Sequence, residues 1–232
     1  MSSPATFAVI PAVKKASYDP KKDFVPLGQI WSAPQILVVH PQSKLRTVAA
    51  IVAYAKANPG QFKFGSAGNG TTTHLAIELL AHESGISIIH VPYRSGAQTV
   101  TDLLGGQLDA VFITAQTLAP YSKSGKLIPL AVTAPQRLPL FPNTPTMAEV
   151  GLPGVMINNW FGLHALAGTS PAVLDRLKTA VRAAQVDPAY QASLAKIGMT
   201  TGTVGAEGFA AMIQDDAQRL APIVRSLGLT FD

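Results

Sequence analysis

From Gln35 onward, short apolar runs alternate with stretches whose apolar residues recur at helical spacing. Residues 36–40 read as a strand, and 47–57 as a helix with Val48, Ile51, Val52 and Ala55 on one face. Strands over 62–66, 88–92, 110–114 and 129–133 flank helices over 72–84 and 97–104, the latter ended by Gly105-Gly106. Alternation with such short connections predicts a mainly parallel sheet with right-handed crossovers. Continuous apolar strands suit a sheet covered on both faces. Five prolines (135, 139, 142, 145 and 153) then crowd into 134–153, which excludes a regular helix or a central strand there. That segment is expected to be an extended crossover between two lobes. Beyond it, 159–166 is apolar and aromatic, and Ser170-Pro171 supplies an N-cap with proline at the first helical position. Val173, Leu174, Leu177 and Val181 follow on that helix, and a last helix over about 206–227 carries Phe209, Ile213, Leu220, Val224 and Leu227.

The chemistry concentrates where the second of these strands ends. Gly65, Gly68 and Gly70 bracket Ser66, Ala67 and Asn69, and Thr71, Thr72, Thr73 and His74 open a helix at once. Such a junction aims unpaired amides and the positive end of a helix dipole at one spot, which binds anions. No Asp or Glu stands in the loop to repel one. A second junction, Tyr93-Arg94-Ser95-Gly96-Ala97, follows the next strand. In a parallel sheet both loops emerge at the C-terminal edge. Either loop alone reads equally well as a tight turn; two on one edge favour binding. Arg94 is a carboxylate clamp or a solvated loop arginine. Asp109 accepts from a ligand or holds its own loop. Thr114 ends the following strand, and Trp160 walls a pocket or packs in the core.

Composition narrows the partners. With 47% hydrophobic and 13% charged residues the 232-residue chain is globular, and a net charge of +5 with pI near 9.5 favours anions. The basic residues, Lys14, Lys15, Lys21, Lys22, Arg46, Lys63 and Arg94 among them, are scattered, so no nucleic-acid surface is expected. The absence of cysteine removes disulfides and thiolate sites. No apolar run reaches the ~18 residues of a membrane span. Residues 1–6 lack the charged and apolar regions of an export signal, so the start reads as processed or engineered, or the product as cytoplasmic. Catalytic patterns are poor. Gly65-Ser66-Ala67-Gly68 is not a Gly-x-Ser-x-Gly elbow, no phosphate-loop lysine follows the glycines, and His40, His74, His82, His90 and His164 show no metal spacing. Neither cofactor nor metal is expected.

Several motifs stand in order along the chain: Phe24-Val25-Pro26-Leu27, the 65–74 loop, Val91-Pro92-Tyr93-Arg94, Asp102-Leu103-Leu104-Gly105-Gly106-Gln107-Leu108-Asp109, Pro145-Thr146-Met147-Ala148-Glu149 and Trp160-Phe161-Gly162. Together they resemble the substrate-binding proteins of tripartite tricarboxylate transporters, the TctC or Bug family, over essentially the whole chain. The resemblance implies an α/β, type II periplasmic-binding-protein-like fold of two lobes with parallel or mixed sheets. It implies no enzyme. Its function would be periplasmic capture of a small carboxylate (a di- or tricarboxylate, an aromatic acid or similar) for membrane permease subunits. Carried over to this sequence, the ligand contacts are Ser66 to Thr72, His74 and Tyr93 to Ala97, with Asp109, Thr114 and Trp160 added. Lobe one is expected from 1–35 and 135–232, and lobe two from 36–134. Against the family pattern lobe one is incomplete at its start, which leaves a sheet edge for a homodimer to cover. Two alternatives stand beside transport: a truncated relic acting through dimerisation, and an enzyme using the same anion site.

Overall fold

The computed structural model describes residues 1–13 and 16–226, so Lys14, Lys15 and Leu227, named above, lie outside the described residues. In chain order, an opening π-helical segment, Pro4–Val9, leads into α1 (Ile10–Val13) and a long strand, β1 (Phe24–Val39). Then come α2 (Val48–Ala57), β2 (Lys63–Ser66), α3 (Thr72–Ser84), β3 (Ile89–Pro92), α4 (Gly96–Leu104), β4 (Ala110–Thr114), α5 (Ala115–Lys123) and β5 (Ile128–Val132). After the proline-rich segment follow β6 (Asn158–Leu166), α6 (Pro171–Val186), α7 (Pro188–Lys196), β7 (Thr200–Thr201) and α8 (Ala206–Ser226). The chain forms two compact units, Met1–Ala33 with Asn159–Asp232, and Pro34–Asn158.

The second unit is an α/β layer with strand order β3-β2-β4-β1-β5. β2 runs parallel to β3 and β4, whereas β1 runs antiparallel to both its neighbours, β4 and β5. The sheet is therefore mixed, with β1 alone reversed, although the helix α2 links β1 to β2. Side chains alternate between two buried faces. Ile36, Val38, Val111, Ile113 and Val132 pack with Val100, Leu103 and Leu118 of α4 and α5. Leu37, Val39, Phe64 and Phe112 point the other way, with the Phe64 and Phe112 rings stacked at 6.2 Å. Gly65 belongs to the α4 side. A Cβ there would collide with Leu108 and press on Val111 and Thr99, so glycine lets α4 lie against β2.

The proline-rich stretch belongs to this unit, whereas the expected division fell at 134/135. Val132 donates to the Pro145 carbonyl and accepts from Met147, both at 2.8 Å, and the Thr133 hydroxyl donates to Ile157 O at 2.5 Å. Arg137 and Glu149 pair at 2.9 Å, and Thr146 and Glu149 cap each other's amides at 2.7 and 3.1 Å. These bonds return the backbone along β5 and satisfy groups that prolines leave outside any ladder.

In the first unit, the opening half of β1 is flanked by β6 and β7, with Trp31 opposite Thr201 and Ser32 opposite Thr200. Trp160, Phe209 and Ala8 form its buried centre, and Trp31 stacks on Phe161 at 4.0 Å. The buried Gln185 amide donates to the carbonyls of Gln29 at 2.6 Å and Val204 at 3.0 Å.

Candidate functional site

β2, β3 and β4 end at one edge of the second unit's sheet, and α3, α4 and α5 begin there. None of the three helices has an acidic residue in its first turn. Three positive dipole ends thus gather along one edge with no carboxylate to quench them.

The first loop is rigid by its own bonds. The Thr71 hydroxyl donates to Gly68 O at 2.7 Å and lies 2.9 Å from the Thr73 hydroxyl, which accepts from the Ala67 amide at 3.0 Å. Gly68 and Gly70 have φ of 124° and 72°, a region other residues enter only with strain. A Cβ at Gly68 would also stand 3.2 Å from the Tyr93 carbonyl, so the two loops meet there. The Tyr93 amide in turn donates to Ser66 O at 2.9 Å. Among the described residues, the amides of Asn69, Thr72 and Thr73 have no acceptor in the chain. At the second loop, Ser95 leaves its hydroxyl out of the cap, so the first amides of α4, at Gly96 and Ala97, stay open. Arg94 and Ser95 are exposed. Tyr93 is committed elsewhere: its hydroxyl donates to Asp102 at 2.6 Å, and burial together with that bond pushes it up to about 12.

Beneath the first loop sits a histidine pair not foreseen as a pair. His74 accepts from the Gly70 amide on Nδ1 at 3.1 Å, its Nε2 faces Glu78 at 3.4 Å, and its ring stacks on His90 at 3.8 Å. His90 Nε2 lies 2.6 Å from the Ser66 hydroxyl. Ser66 is fully buried, with its oxygen also bonded to both Gly68 backbone groups, so it supports the loop and offers no accessible nucleophile. Burial, reinforced by the His74 ring, pushes the His90 imidazole down to about 4. Burial also pushes His164, among Phe7, Phe24 and Phe209 in the first unit, down to about 4.

Both histidines make stability pH-dependent. The unfolded chain takes up their protons near pH 6.5 and the folded chain only near 4, so the unfolded state binds more protons between those values. Stability should therefore fall as pH drops from 6.5 toward 4, by about 1 kcal/mol per histidine after allowance for solvent screening. Calorimetry across that range should show it, and His164→Phe should flatten part of the slope. A Tm that rises on acidification contradicts the assignment.

Of the remaining expected residues, Thr114 lies on the same edge and caps α5 by accepting from the Thr117 amide at 3.3 Å. Asp109 does not join them. It precedes β4 at the opposite edge, where its carboxylate accepts from the Lys63 amide at 2.7 Å. Trp160 lies in the first unit, 1% exposed, with its indole N–H donated to Asp216 at 2.7 Å. Among the described residues no three His, Asp or Glu side chains cluster to hold a metal, and no helix is long and apolar enough to cross a membrane.

The sequence matches the model of the tripartite tricarboxylate transporter family receptor, TctC, over residues 1–229. It is 34% identical over 220 residues to a Cupriavidus necator protein described as the UPF0065 protein in the gbd 5' region, covering 95% of this chain and 67% of that one. It is 32% identical over 228 residues to protein BugT of Bordetella pertussis, covering 98% and 70%. The chain thus spans about two thirds of these relatives' length. Among solved structures, it resembles the R. palustris protein Rpa4515 with adipate at TM-score 0.82 and 28% identity, covering 98% of this chain and 76% of that one. A TctC solute-binding protein from Polaromonas, without ligand, gives TM-score 0.82 and 26% identity, covering 95% and 75%.

Proposed function

The chain belongs to the tripartite tricarboxylate transporter receptor family, and on that premise we propose that it captures a small organic carboxylate in the periplasm for the membrane subunits of such a transporter. The observation that carries this reading is the row of three acid-free helix starts on one sheet edge, with the amides of Asn69, Thr72, Thr73, Gly96 and Ala97 left open. A carboxylate offers two oxygens with four lone-pair directions, which suits several convergent N–H donors. Ser66, the Thr71 hydroxyl and His74 hold the first loop in shape before any ligand arrives, so little ordering is left for binding to impose. Thr72, Ser95 and Arg94 are the side chains best placed to add contacts. The adipate held by the related Rpa4515 supports a dicarboxylate as the ligand class.

Melting temperatures measured against succinate, adipate, citrate, benzoate and the neutral diamide of succinate test the proposal. An acid present at 100 times its Kd should add about 2.7 kcal/mol, or roughly 5–10 °C. The diamide should do nothing. If no acid shifts the transition, or the diamide shifts it equally, the carboxylate reading fails.

A further inference from the structure

One polar side chain near this edge has no partner. Gln35 is 1% exposed, and its side-chain oxygen makes no hydrogen bond. A buried amide oxygen left alone is costly, and native chains keep few of them without a use.

Its position follows from the ladder. Gln35 stands opposite Thr114, the last residue of β4, so it lies at the edge where α3, α4 and α5 begin. Ile36 packs toward α4, hence Gln35 points to the other face of the sheet, as does its cross-strand partner Thr114. Gly65 also faces α4, which puts Ser66 on that same other face. Gln35, Thr114 and Ser66 therefore share one face and one edge, on strands β1, β4 and β2, which are successive neighbours. Two strand spacings, about 10 Å, separate Gln35 from the first anion loop. That is the length of a small dicarboxylate plus one hydrogen bond.

The backbone at this point is held through both of its polar groups. The Gln35 amide donates to the Thr133 hydroxyl at 2.9 Å, and its carbonyl accepts from the Thr133 amide at 2.9 Å. The side chain is thus carried on a central strand, between β4 and β5.

We infer that the Gln35 side-chain amide reads a hydroxyl on the ligand's carbon chain, while the helix starts hold its carboxylate. The inference rests on the carboxylate reading above and deepens it, from an acid to a hydroxy acid. A hydroxyl donates to the amide oxygen and removes the unpaired acceptor, whereas a methylene in the same place leaves it buried and unpaired. The amide thereby discriminates between two acids of equal charge and nearly equal size.

Malate and succinate differ by that one hydroxyl, and titration calorimetry with both tests the idea. The wild-type protein should bind malate about tenfold more tightly than succinate. Gln35→Met keeps the volume and removes the polar atoms. It should bring the two affinities within about twofold and leave succinate binding intact. The ligand-free melting temperature of Gln35→Met should rise by a few degrees, since an unpaired buried acceptor is gone. Gln35→Leu provides a second apolar variant should methionine pack poorly. A malate preference that survives both substitutions, or a wild-type protein indifferent to the hydroxyl, overturns the inference while leaving carboxylate binding in place. A wild-type protein that binds no acid at all overturns both readings.

Discussion

Thr72→Asp should bind its carboxylate ligand about a hundredfold more weakly than the wild type while melting slightly higher without ligand. Thr72 is the first residue of α3, with open amides at its own position and at Thr73. An aspartate there completes the helix dipole and adds about 0.3–1 kcal/mol to the empty protein. The same charge would stand about 5 Å from a bound carboxylate, and at an effective dielectric near 20 this costs about 3 kcal/mol. Opposite signs for stability and binding separate the proposal from simple damage, since a misfolded loop would lose both. Thr72→Asn, of the same shape without the charge, should stay within about threefold of wild type. Titrations at low ionic strength show the effect best. An aspartate variant that binds as well as the asparagine one would mean that no anion sits at these helix starts.

Gly202→Ala should lower the melting temperature by roughly 6–12 °C, the equivalent of about 3 kcal/mol. In the first unit, Gly202 donates its amide to Ile30 O at 3.0 Å, and a Cβ would drive straight into the Gln29 carbonyl. The obstacle is backbone, so no rotamer change relieves it. Moving Gln29 also breaks the bond from the buried Gln185 amide and disturbs the Val204 carbonyl that shares that donor. Gly106 makes the fitting comparison. Its φ of 72° strains any side chain, but nothing lies within 4 Å, so Gly106→Ala should cost only about 1 kcal/mol. If the two alanine variants melt together, the close approach of Gly202 to Gln29 carries no special cost.

Much of the second unit can be read directly from the chain. Its apolar runs and helix-spaced positions become β2 to β5 and α2 to α4 within a residue or two, because β2, β4 and β5 bury most of their residues and the helices are short, with buried positions at regular spacing. The far longer β1 is hidden by Pro26 and Pro34, which argue against a strand although the pairing of 35–39 and 31–32 tolerates them. Pro120 similarly masks α5. The reversed direction of β1 is invisible as well, since its pairing partners, 110–114 and 128–132, lie far along the chain. The two loops proposed to hold the carboxylate are legible as strand-to-helix junctions because glycine and threonine cluster at both helix starts or their flanks, whereas their shared edge follows only from the sheet order. Asp109 misleads because a carboxylate that holds its neighbour's amide looks the same in sequence as one that waits for a ligand. The His74–His90 stack and the lone oxygen of Gln35 depend on register across three strands, and no local pattern carries that.

The two units are also written differently into the chain. The second is one unbroken stretch, 34–158, whereas the first is assembled from 1–33 and 159–232. On the ribosome, the second unit is complete before β6, β7 or α8 has been made. Ala8, which packs with Trp160 and Phe209 in the finished protein, must wait through that whole interval without those partners. Within these residues, 1–33 is thus the stretch that waits longest for its partners in 159–232 during synthesis.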